Sequence, residues 1–404
     1  MSTPANIDAW GSPVAGTATS IAAWNDAWTE ALHFVGDPLA TLAEPNETDE
    51  DFALGSVFCG IYRLLGGAPP DTPEVQVDIE RATRRSSTAR ELGHVEALGL
   101  FASGEFTAAA KRWDEVNRVA RDFAAVRFAH DVYLHVGNVE DRLSSSALAV
   151  GMFNTDPGWN LVASQYAFSL EEACHFAEAE RIGLQALDVD PQDLWATHCL
   201  AHVYLETGRH DEGLSFLRER QDTWSVQDGL AVHIWWHFAL HLIARGEFDE
   251  VLDIHDRCLP DSATPFRLSD LISLLWRLEA NGVDVGDRWD SLADAMAARP
   301  ERHTTGFLDL HSALLFSRLP DHWAAEDFFA GLASAYPEQS NENATTFHEV
   351  VRPLATALRT SDADPIAAIE TLDELGPILH RIGGSNAQRE IVHLTRTNLA
   401  EETT

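Results

Sequence analysis

The chain has 404 residues, 45% of them hydrophobic and twelve of them Trp, which excludes a disordered protein and leaves room for several domains or one long repeat array. Sixty-four Asp and Glu against 28 Lys and Arg give a formal charge of -36, and Lys111 is the only lysine. With no basic patch to override it, such a field repels phosphate backbones and anionic lipid surfaces and so argues against nucleic-acid and membrane-surface partners. The Arg-over-Lys, carboxylate-rich composition fits a salt-rich cytoplasm.

The first 20 residues mix Ser, Thr, Ala, Gly and Pro and read as a flexible arm without the basic and apolar regions of a secretion signal. Residues 21–88 read as N-terminal capping helices. One begins near Ile21, with Trp24, Trp28 and Leu32 at helical spacing, and stops at Gly36-Asp-Pro; a second runs from Asp51 to Leu65 before the turn-rich APPDTPE.

From Glu91 a repeat emerges, clearest in its punctuation. Gly104, Gly137, Gly208, Gly246 and Gly282 each end one amphipathic helical pattern and precede another, with Cys174 in the missing slot; successive intervals are 33, 37, 34, 38 and 36 residues. A helix-turn-helix unit of about 34 residues is the tetratricopeptide period. A small residue suits a turn that demands positive φ. Residues 89–285 are therefore assigned as central repeats. Residues 286–400 are assigned as C-terminal helical repeats, with helices near Arg288–Ala298, Thr304–Arg318, Ala324–Tyr336, Thr345–Arg359, Pro365–Leu375 and Ala387–Leu399. No alternating strand pattern is found, and the expected fold is an all-α, strongly curved tetratricopeptide-like solenoid with degenerate ends.

The segments RFAHDVYLHVG, WATHCLAHVYLETG and HIWWHFALHLIARGEFDE, and above all IGGSNAQRE at 382–390, resemble the tetratricopeptide repeat protein 38 family. The resemblance runs from about Ile21 to the C-terminus. It implies a cytosolic helical array and carries over no activity. His130, Asp131, His198, His202, His233 and His237 lie within the shared patterns, as does the pair Asp309 and His311; His241 departs from them.

The richest stretch is 193–247, with His198 and His202 on one helical pattern and His233, His237 and His241 on the next. Residues four apart on a helix share a face, so each pair can aim two imidazoles at one point. Counted back from the turn glycines, His198, His202, His233 and His237, with His130 or Asp131, are expected to face the groove and share one cavity. One use is a divalent transition metal on His198, His202, His233 and His237, with Asp131 or Asp309 as carboxylate ligand, although no HExxH or Glu-x-x-His pattern accompanies them. A second is metal-free acid–base catalysis or polar recognition by the same histidines with His130 and Asp131. A third is helix packing with satisfied hydrogen bonds.

Trp224, Trp235 and Trp236 add indole to that lining, with Trp195 assigned to the core. A groove of imidazole and indole suits a small polar or aromatic ligand better than an acidic peptide tail. Gly383-Gly384-Ser385-Asn386 opens the last helix with Ser385 or Asn386 as cap, and Gln388 and Arg389 lie in its first turn, where Arg389 could anchor an anion. Ser385, Asn386, Gln388, Arg389, Trp236, Asp309 and His311 are accordingly candidate ligand contacts. Glu171 and Glu172 read as solvated surface, and Cys199 as turned away from the histidine face. The four cysteines lack metal or disulfide spacing and read as small buried hydrophobes. The functional expectation is a small-molecule binder or a histidine enzyme, cytoplasmic and with a homodimer allowed; the alternative is a non-catalytic scaffold for a protein partner.

Overall fold

The computed structural model describes residues 7–154, 158–224, 229–258, 264–299, 303–336 and 340–403. The described residues are α-helical with short 3-10 and π segments, and contain no strand beyond an isolated bridge between Ile7 and Pro13. The fold is an all-α helical-repeat solenoid. It divides into two compact units, an N-terminal one of Met1–Val203 with Arg220–Leu230, and a C-terminal one of Tyr204–Glu219 with Ala231–Thr404.

The N-terminal unit contains α1 (Ala18–His33), α2 (Pro38–Thr48), α3 (Ala53–Leu65), α4 (Pro73–Arg85), α5 (Ala89–Ala102), α6 (Phe106–Ala120), α7 (Phe123–His135), α8 (Val139–Met152), α9 (Trp159–Glu172) and α10 (Phe176–Val189), then most of α11 (Leu194–Glu206). Consecutive helices pack as antiparallel hairpins, α5 on α6, α7 on α8 and α9 on α10. Its core centres on Trp24, Trp28, Phe52, Phe58, Trp113, Phe123 and Phe128, all buried. Trp28 meets Phe58 edge-on at 5.0 Å, an arrangement in which the ring edge of one finds the negative face of the other.

One sequence expectation is corrected here, and two helices that the sequence reading did not assign are added. Residues 7–17 are not a loose arm: Trp10 stacks on Phe123 at 4.7 Å, and Asp49 accepts from the Thr17 amide at 2.7 Å and the Ser20 hydroxyl at 2.5 Å. The helix from Ile21 ends before Gly36-Asp-Pro as expected, α1 closing at His33, but a new helix follows at once: Asp37 caps α2 by accepting from the amides of Leu39 and Ala40, and Pro38 fills a first-turn position where no N–H is needed. Likewise the end of APPDTPE starts α4 with Pro73 in its first turn. In both places proline, read as a breaker, is an initiator.

The C-terminal unit contains α12 (His210–Glu219), α13 (Ala231–Arg245), α14 (Phe248–Cys258), α15 (Pro265–Ala280), α16 (Arg288–Ala297), α17 (Gly306–Arg318), α18 (Ala325–Ser334), α19 (Glu342–Thr346), a π segment (Phe347–Val351), α20 (Arg352–Thr360), α21 (Pro365–Leu375) and α22 (Asn386–Glu402). Within it α13 packs on α12, α14 and α15, and α15 also packs on α16, α17 and α22.

The repeat punctuation has one recurring geometry. Gly104, Gly137, Gly208, Gly246 and Gly282 all have positive φ, and Cys174 adopts the same left-handed conformation at φ 62°. After each, the next amide reaches back five residues: Glu105 to Leu100, Asn138 to Tyr133, His175 to Leu170, Arg209 to Tyr204, Glu247 to Leu242 and Val283 to Leu278, at 2.8–3.0 Å. These are Schellman closures, which satisfy carbonyls that a helix end leaves open. Cys174 is exposed at this joint, against the expectation that all the cysteines are buried; Cys59 and Cys199 are buried.

Candidate functional site

In the N-terminal unit α7, α8, α9 and α11 bring a buried polar cluster together. The α11 residues His198 and His202, one helical turn apart, face each other with Nε2 atoms 3.1 Å apart. Their rings pack on Phe168 of α9 at 5.0 and 5.2 Å, and His198 lies 4.9 Å from Trp195. Trp195 is buried, as expected of a core residue. His130 of α7 joins the same cluster, 5.8 Å from Trp195 and 6.2 Å from Phe168.

Glu171 and Glu172, expected on the solvated surface, are buried. They close α9 just before the Cys174 joint. Glu171 Oε2 stands 3.5 Å from His202 Nδ1, and Glu172 Oε2 stands 3.7 Å from the buried guanidinium of Arg142. Arg142 also lies over the Phe168 ring at 4.9 Å. A single sequence does not reveal this, because an acidic pair beside an exposed turn has the same signature as solvated surface. Arg142, buried and central, was likewise missed.

His130 has an unusual environment. It is buried, and among the described residues neither ring nitrogen has a hydrogen-bond partner; the same holds for Nε1 of Trp195. Burial, with Arg142 and Arg127 nearby, pushes the His130 pKa well below the ordinary imidazole value, so the ring is neutral and offers one donor and one acceptor. Its neighbour Asp131 points elsewhere, to Arg127 Nε at 2.8 Å. Cys199 is buried beside the acids, which with desolvation keeps its thiol protonated and inert, as its position on α11 suggested.

The C-terminal unit holds the second histidine pair on α13. His233 and His237 have Nε2 atoms 3.2 Å apart, and both carboxylate oxygens of Asp270 lie 3.0 Å from His233 Nδ1. A carboxylate at Nδ1 fixes the Nδ1–H tautomer and turns Nε2 into an acceptor. Trp236 stacks on His233 at 5.2 Å and donates from Nε1 to Ser273 Oγ at 3.2 Å. His241 pairs instead with His210, Nδ1 to Nδ1 at 3.2 Å. Each unit thus repeats one motif: a carboxylate, an imidazole, and a second imidazole four residues along the helix.

Other predicted contacts are bound into the scaffold of this unit. Asp309 sits 3.0 Å from His303 Nδ1, and His311 donates from Nδ1 to the Phe307 carbonyl at 2.9 Å. Ser385 and Gln388 form a reciprocal capping box at the start of α22. Arg389 bonds the carbonyls of Gly383 and Gly384 and Asn386 Oδ1, so its guanidinium holds the loop that precedes its own helix. Arg277 extends this network, donating to the Ala387 carbonyl at 2.8 Å, and burial lowers its pKa to about 10. Ser385→Ala removes half the capping box and is expected to cost about 1 kcal/mol, read as a lower urea midpoint with unchanged slope. An unchanged midpoint would show that the box contributes nothing.

The fold and the buried histidine motifs define a helical-repeat protein with a buried polar cluster in each unit. No protein-family model matches the chain. Among the described residues, no helix is long and apolar enough to cross a membrane.

Proposed function

We propose that the chain binds a small polar molecule among α7, α9 and α11 of the N-terminal unit, with His130 and Trp195 as recognition groups and His198 beside them. The observation that carries this reading is the set of buried polar atoms at His130 and Trp195 that have no hydrogen-bond partner among the described residues. Leaving such atoms unsatisfied costs about 1–3 kcal/mol each, a cost that a ligand or bound water would remove. The ligand fits if it offers an acceptor to the indole N–H and can pair with a neutral imidazole. Acid–base chemistry is the catalytic use this arrangement supports: His198 is the imidazole next to Trp195, and its proton can pass to His202 and toward Glu171.

The test is a thermal-shift screen of neutral and anionic metabolites against the full chain and His130→Phe. Removing an unsatisfied polar ring is expected to raise the stability of the ligand-free protein by about 1 kcal/mol while abolishing the shift produced by any hit. If His130→Phe instead loses more than about 2 kcal/mol, His130 is a packing residue with satisfied bonds and the recognition role falls. If no molecule shifts the parent while a protein partner binds it, the scaffold reading replaces this one.

A further inference from the structure

From the geometry around Glu171 we infer a site for a divalent first-row transition cation, with Glu171, Glu172 and His202 Nδ1 as ligands and His198 as the positioning residue. The inference rests on the reading that this buried cluster is functional, and assigns it an ion.

One candidate ligand atom from each of Glu171, Glu172 and His202 lies within 4.8 Å of the other two, and all three residues are buried. The distance from His202 Nδ1 to Glu171 Oε2 is 3.5 Å. Two ligands bound at about 2.1 Å to one ion stand roughly 3.0–3.4 Å apart in octahedral or tetrahedral geometry, so only a small closure is required. On the other side of the ring, His202 Nε2 lies 3.1 Å from His198 Nε2. If that bond carries the His202 proton, Nδ1 is a bare donor directed at the carboxylates, and His198 sets the tautomer as an outer-shell partner does in metalloproteins.

Charge points the same way. Glu171 and Glu172 are both buried, with the Arg142 guanidinium 3.7 Å from Glu172. A divalent cation brings positive charge to two carboxylates whose ionised forms burial penalises. Two oxygens and one imidazole nitrogen suit Mn²⁺, Fe²⁺, Co²⁺ or Zn²⁺ and disfavour thiophilic Cu⁺. Cys199 lies next to His198 in sequence but offers no thiolate, because burial and the nearby acids hold its thiol protonated.

The test uses the untagged full chain, stripped with EDTA and titrated separately with Co²⁺ and Mn²⁺. Co²⁺ is expected to bind with visible d–d absorption and no thiolate charge-transfer band, and to raise the melting temperature. Glu171→Gln and Glu172→Gln should each weaken binding at least a hundredfold, and His198→Gln about tenfold, within the range for outer-shell partners. Two carboxylate variants guard against one failing to fold. His322→Gln, which removes an imidazole paired with Asp294 and outside these ligands, should bind with unchanged affinity. Unchanged Co²⁺ affinity in Glu171→Gln overturns the site, as does loss of binding in His322→Gln, or no ion bound by a folded parent. The metabolite screen repeated in EDTA separates the two proposals: a ligand shift without ion binding sinks only the cation site, and ion binding without a ligand shift sinks only the small-molecule reading.

Discussion

Replacing Asp122 by alanine is expected to destabilise the N-terminal unit by about 4 kcal/mol, with the unfolding midpoint in urea as the readout. Asp122 is fully buried at the start of α7 and serves three partners. Its Oδ2 accepts from Arg90 Nε and from His94 Nε2 at 3.0 Å, while Oδ1 caps α7 by accepting from the Ala125 amide at 3.2 Å. Trp113 Nε1 donates to His94 Nδ1 at 3.1 Å, which leaves the His94 proton on Nε2, facing the carboxylate. Burial alone would raise the Asp122 pKa, but Arg90 and His94 overcome it and hold the carboxyl well below the usual range. Alanine would strand a guanidinium and an imidazole in the interior, which costs about 3–5 kcal/mol for a buried pair, and would remove a helix cap worth about 1. Arg90 also binds the Pro13 carbonyl, so the loss reaches the N-terminal segment. A cost under about 1 kcal/mol would mean that water replaces the carboxylate and that the pair is not truly desolvated.

Acidification should act through His311. Burial lowers its pKa to about 4, and its Nδ1–H is held by the Phe307 carbonyl at 2.9 Å. In the unfolded chain the same ring titrates near 6.5. Above that pH both states are neutral and the residue contributes no pH dependence. As the pH falls from about 6.5 toward 4, the unfolded state takes up a proton that the folded state refuses, and stability is lost. Between pH 7.5 and pH 5 the loss due to this residue is about 2 kcal/mol. His311→Leu should therefore lose about 2 kcal/mol less than the parent over that interval, whatever its stability at neutral pH. Asp193 works in the opposite sense: burial raises its pKa to about 6, so the folded state gains a proton first. Comparing variant with parent cancels Asp193 and the other carboxylates. Equal slopes for the two proteins would mean that His311 is protonated in the fold.

The helical repeat was legible because its signal is local. Positive φ demands a particular residue class, so Gly104, Gly137, Gly208, Gly246 and Gly282 announce themselves, and even Cys174 was located by period alone. Helix initiation by Pro38 and Pro73 was not, since a proline in a first turn and a proline that ends a helix look alike until the cap is seen. The histidine pairs followed from four-residue spacing. Their carboxylate partners did not: Glu171 reaches His202 from another hairpin, and Asp270 reaches His233 from 37 residues away. Local pattern cannot encode which helix lies opposite. The motif at 383–389 was read correctly as a cap, while the destination of Arg389, the carbonyls of its own loop, depends on backbone geometry that composition does not carry.

The six hairpin joints are closed by backbone bonds between residues five apart in sequence. Closing so short a loop sacrifices little chain entropy, and each joint needs no distant segment to be in place first. Hairpins can therefore form as independent nuclei, leaving the slow part of folding to their docking. The buried carboxylate–imidazole contacts that cross from one hairpin to another, Glu171 to His202 among them, belong to that later stage. The contacts that assemble last thus include those of the proposed site.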